Sequence, residues 1–228
     1  MFNLMFRSFV FAIAICLLSA CDTQPQKTDS MLRREKADVD ALEYVNKAKN
    51  LVTQSVLTSP SEHLDELTLA KQAVWSAKNV YKEARILNWD NPQLVELDST
   101  LLSLNQKLAQ SSIDALSLAL DKTREFKQAK IEVETLPVYD NTVAKQGLQR
   151  SLVAFNQDLN ACCIQKASTI NRFLQEQRKQ YRGLIKLNHN ALLYLSQYVQ
   201  DEISEREIRD MIAEAQLALE QQTLEQAN

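Results

Sequence analysis

Glycine occurs only twice in the 228-residue chain, as Gly147 and Gly183. That scarcity rules out most architectures at once. β-Sandwiches need glycine at hairpin turns, and nucleotide-binding α/β folds need it in phosphate loops. Proline is nearly as rare, and Pro60, Pro92 and Pro137 each stand where a helix can begin. The stretches between them are rich in Leu, Ala, Gln, Glu and Lys, which are strong helix formers. The expected fold is all-α: an elongated bundle, or a stack of antiparallel helical hairpins with coiled-coil-like seams, over residues 31–228.

Apolar spacing sets out the helices in order. Val39, Leu42, Val45, Val52 and Val56 mark one face of a first helix running to about Leu57. Ser59-Pro60-Ser61-Glu62 reads as a capping box that opens a second. Its inner face is Leu64, Leu67, Ala70, Val74, Ala77, Tyr81 and Ala84, with Trp75 beside it and expected in the core. Asp90 or Asn91 caps a third helix, whose Leu94, Leu97, Leu101, Leu104 and Leu108 recur at 3-4-3-4 spacing. Helical spacing continues through Ala115, Leu116, Ala119, Phe126 and Ile131. Unbroken, this stretch would be about 65 Å long, against about 42 Å for the helix before it. Either it breaks near Ser111-Ser112, or one long helix bridges two packing partners.

After Pro137 a further long pattern carries Leu148, Leu152, Phe155, Leu159, Cys162, Ile170 and Phe173, with interruptions expected at Gly183 and Asn188-His189-Asn190. Ser204 and Glu207 form a capping box ahead of a last helix with Ile208, Ile212, Ala215 and Leu219 inside. Ala77, Tyr81 and Ala84 match the second-helix spacing of a tetratricopeptide repeat. The repeat's closing proline would fall at Trp89 and its early aromatic-glycine pattern is missing, so an irregular bundle fits better.

Residues 166–186 carry six cations and one acid, and residues 201–225 carry eight acids and two arginines. The simplest arrangement folds the acidic C-terminal helix along the basic stretch. The alternative is a basic face presented to anionic headgroups or another anionic polymer. The overall charge of −3 gives no pull toward nucleic acid.

Chemistry-bearing motifs are absent. His63 and His189 are far apart, lie in no HExxH and have no cysteine at zinc spacing, so no metal site is expected. Two glycines exclude GxSxG, Walker A and GxGxxG, and no cofactor is expected. Glu132 and Glu134 fall on different helix faces, poor geometry for paired acid–base work. No catalytic residue is assigned. Adjacent Cys162 and Cys163 diverge by about 100° on a helix, so they are expected as two small core-side residues rather than a bridge. Trp89, in a polar turn between helices, is the candidate partner contact. Tyr194 and Tyr198 share a face and are expected to pack in the core.

The N-terminus carries the most specific signal. Arg7 supplies a positive start, residues 8–18 are apolar, and Leu18-Ser19-Ala20-Cys21 follows. This stretch resembles a bacterial lipoprotein signal peptide with its lipobox. The resemblance implies cleavage after Ala20 and acylation of Cys21, with attachment to a membrane through the lipid. Residues 21–30 then form a tether, and its nine residues after Cys21 reach at most about 30 Å. Asp22 resembles the retention signal that slightly favours the periplasmic face of the inner membrane over the outer membrane. The function expected is that of a non-enzymatic envelope lipoprotein that binds another protein as an assembly or scaffold factor. The alternatives are a self-associating structural lipoprotein, hence a homo-oligomer, and an envelope hydrolase or its regulator.

Overall fold

A computed structural model describes residues 28–87, 90–135, 142–175, 182–199 and 205–227. Helix α1 spans Asp29–Leu51, short α2 Gln54–Thr58, α3 Leu64–Glu83 and α4 Pro92–Glu134. Helix α5 covers Thr142–Leu159 and runs through a π turn, Asn160–Ile164, into α6, Gln165–Gln175. Helices α7, Arg182–Val199, and α8, Glu205–Ala227, complete the chain. The described residues are all-α and contain no strand.

Helix α4 is the spine. Its 43 residues form one helix about 65 Å long, so the second of the two arrangements holds. Asn91 caps it: Oδ1 accepts from the backbone N–H of Gln93 at 3.1 Å and of Leu94 at 3.2 Å, with Pro92 in the first turn. All five leucines of the seam are buried. They join a first core with α1, α3, α6 and the end of α8. From Ala115 to Leu120 the same helix serves a second core, built with Leu159, Cys163, Ala191, Leu195 and Ile208.

Between the two cores lies a buried polar layer. Ser112 Oγ donates to Asn171 Oδ1 at 3.2 Å. Asn188 Nδ2 donates to Ser112 Oγ at 3.1 Å and to Asn171 Oδ1 at 3.2 Å. All three residues are at most 5% exposed. The layer ties α4, α6 and α7 at one level, where an apolar interface would leave sliding cheap.

Several expectations change. The buried face of α1 is Ala37, Ala41, Val45 and Ala48, while Val39 is 70% exposed and Leu42 45%. Alanines on α1 meet Ala70, Ala73 and Ala77 of α3, and small residues permit close helix approach. Helix α1 also ends at Leu51 rather than near Leu57. Ser59 makes no side-chain cap; Pro60–Glu62 is a single 3-10 turn and α3 opens after His63. Helix α3 closes at Arg85, which takes φ 59° while the Ile86 N–H reaches back to Tyr81 O at 2.9 Å. Helix α7 runs unbroken through Asn188-His189-Asn190 because Asn188 is held in the polar layer.

Cys162 and Cys163 are joined to each other by a disulfide, contrary to expectation. They sit in the π turn, where the backbone departs from the regular α-helix that the expectation assumed. Helix α8 packs chiefly against α7 and α4. Ile208, Ala215 and Leu219 carry that contact as buried residues. Two of its ion pairs, Arg206–Asp210 and Arg209–Glu205, are internal to α8.

Candidate functional site

Helices α3 and α4 are neighbours joined by a short connection, and on the side away from α1 they leave a groove of about 470 Å³. Its floor is Val74, Leu101 and Asn105, each 4% exposed. Lys78 Nζ and Asp98 Oδ1, 2.7 Å apart, link the two walls. Lys71 turns inward, its ammonium 3.8 Å from the centre of the Phe173 ring, a cation–π contact. Asp98 is the one carboxylate among the described residues of this lining.

Two groups in the groove are out of the ordinary. Trp75 stands on its rim, 66% exposed, where the spacing places it in the core. The buried face of α3 passes through Val74, Ala77 and Tyr81, and Trp75 lies about 100° round from Val74. Asn105 Oδ1 is buried with no hydrogen-bond partner among the described residues. A buried carbonyl without a donor costs about 1–3 kcal/mol. The set offers an aromatic platform, an acceptor sunk in an apolar floor, and a charged pair.

A second feature is an arm. Thr123 is the last buried residue of α4, and Leu159 is the only buried residue of α5. Helix α4 therefore runs 11 residues, about 16 Å, past its last buried side chain. There it is covered by α5. Phe126 and Phe155 stack with ring centres 4.3 Å apart and planes 13° from parallel. Lys122 and Asp158 pair at 2.9 Å near its base. Val143 is 72% exposed, Val153 55% and Ile131 52%, although Ile131 continues the apolar spacing of α4.

Cys21, Trp89 and Ser204 lie outside the described residues. His63 Nδ1 lies 3.4 Å from Glu66 Oε1. Glu66 is held below the ordinary carboxylate range, first by a hydrogen bond with its own backbone and then by His63. His189 is exposed on α7, far along the chain from His63. Tyr194 is half-buried against the second core. Among the described residues no group of three His, Cys, Asp or Glu side chains could hold a metal, and no helix is long and apolar enough to cross a membrane. Sequence reasoning passed over Asn105. Its only signal is position: a polar residue next to the buried Leu104, seven after Asp98.

No protein-family model, curated protein or solved structure matches this chain.

Proposed function

We propose that this chain is an envelope lipoprotein, anchored through acyl groups on Cys21, whose helical body presents a docking arm to another protein. The anchor rests on Leu18-Ser19-Ala20-Cys21 and the apolar run before it. Two or three acyl chains make a stable attachment where one is marginal. Asp22 favours the periplasmic face of the inner membrane over the outer membrane.

The single observation that carries protein binding is the arm. Helices gain most of their stability from burying a face, yet α4 beyond Thr123 and α5 before Leu159 bury no residue fully. A partner helix laid along them would cover the half-exposed Phe126, Leu148, Leu152 and Phe155. The role is assembly or scaffolding rather than catalysis.

A photo-crosslinking residue placed at Val153, in the acylated protein in its own membranes, tests this. The expected result is one stoichiometric adduct with a different envelope protein. Adducts between copies alone would replace the reading with self-association, and no adduct at Val153 or Val143 would remove the arm from the account.

A further inference from the structure

The groove beside Trp75 specifies a ligand more narrowly than the arm does, and it stands independently of it. Asn105 is 4% exposed, its Oδ1 lacks a partner among the described residues, and it lies in the groove floor. That oxygen is closed off in the groove as it stands, so a ligand's donor meets it once the Asn105 side chain turns toward the groove it lines. Val74 and Leu101 line the floor together with Asn105, so a donor that meets Asn105 fits best with a small apolar group beside it. Trp75 offers a flat face at the rim, 66% exposed. Gln72 and the Lys78–Asp98 pair supply polar contacts along the walls. The volume, about 470 Å³, falls in the range of small-ligand clefts, about 300–1,000 Å³.

A helix cannot meet these terms with its backbone, because its N–H groups are spent on its own carbonyls. An acetamido sugar meets all of them. Its N–H is a donor, its methyl is the adjoining apolar group, its ring has a flat C–H face, and its hydroxyls both donate and accept. We propose that the α3–α4 groove binds a glycan bearing N-acetyl groups. A sugar ring lies on Trp75, and an acetamido N–H donates to Asn105 Oδ1. The acetamido methyl sits against Val74 and Leu101.

The test uses detergent-solubilised full-length protein carrying Trp89→Phe, which leaves Trp75 as the sole tryptophan. Chitohexaose is titrated against cellohexaose, which has hydroxyls where chitohexaose has acetamido groups. The expected result is a saturable change in Trp75 emission with chitohexaose, at a Kd of about 1 mM or tighter and roughly tenfold tighter than cellohexaose. Asn105→Leu, which keeps the floor filled, removes the tenfold preference. Trp75→Ala, followed by calorimetry, removes binding of both sugars. No saturable response by about 10 mM chitohexaose overturns the proposal and leaves the groove to a peptide or to no ligand. Equal affinity for the two sugars, or a preference that survives Asn105→Leu, overturns the assignment of the acetamido contact. Circular dichroism of each variant checks that the helices are kept.

Discussion

The Tyr81 hydroxyl donates a hydrogen bond to Asp38 Oδ1 at 2.8 Å, tying α3 to α1 across 43 positions of sequence. The same oxygen accepts from Asn91 Nδ2 at 3.1 Å, while Asn91 Oδ1 caps α4. One hydroxyl therefore fixes how three helices meet. Arg34 also pairs with Asp90 at this corner.

Tyr81→Phe should destabilise the protein by about 1–2 kcal/mol, since it leaves Asp38 and Asn91 each short of a hydrogen bond. Urea unfolding followed by circular dichroism measures it. The variant also changes the alkaline limb. Burial pushes the Tyr81 hydroxyl above its ordinary pKa of 10.0, and Asp38 acts in the same sense against the opposing bond from Asn91. The folded state thus keeps a proton that the unfolded chain loses. This contribution is constant below about pH 10 and falls as pH rises beyond it. Phenylalanine should flatten that part of the slope.

The polar layer between the cores predicts a non-additive series. Asn188→Ala takes away the donor that Ser112 Oγ and Asn171 Oδ1 share, leaving them only their bond to each other, and should cost about 1–3 kcal/mol. Replacing all three residues together by apolar ones should recover most of that loss, because no buried polar group is then left over. A triple variant that falls by the sum of its parts would show that the layer acts through something other than mutual satisfaction.

The alanine contact between α1 and α3 predicts which face tolerates bulk. Ala41→Leu places extra methylenes where exposure is 0% and should cost about 1–3 kcal/mol. Val39→Ser, at 70% exposure, should change stability by less than about 0.5 kcal/mol. Thermal unfolding of the two variants orders them.

Gly147 offers a gain. It lies within α5, exposed, with nothing within 4 Å of where a Cβ would stand. Gly147→Ala should add about 0.5–1 kcal/mol to the helix. Slower hydrogen exchange along α5 would register it.

How much of this was legible depended on the size of the side chains that carry the signal. The leucine seam of α4 could be read directly, since five large residues at strict spacing are all buried. The face of α1 could be read only at Val45. Alanine scores weakly for hydrophobicity, so Val39 and Leu42 dominate the pattern, while Ala37 and Ala41 meet the partner helix. Asn188 looked like a break because asparagine ends helices. In the fold its Nδ2 donates to Ser112 and Asn171, which come from 76 and 17 positions away. Trp75 fell beside an apolar stripe, and only the placement of α4 decides that the groove there stays open. The Cys162–Cys163 bond lies in a π turn, which no local pattern announces.

The most direct measurement is [3H]palmitate labelling and intact mass of wild type and Cys21→Ala, with membrane fractionation. The account predicts labelled wild type in the membrane, and an unlabelled variant released to the soluble fraction. Labelling that persists in Cys21→Ala, or an unacylated wild type, would contradict the anchor and with it the placement of the arm beside an envelope membrane.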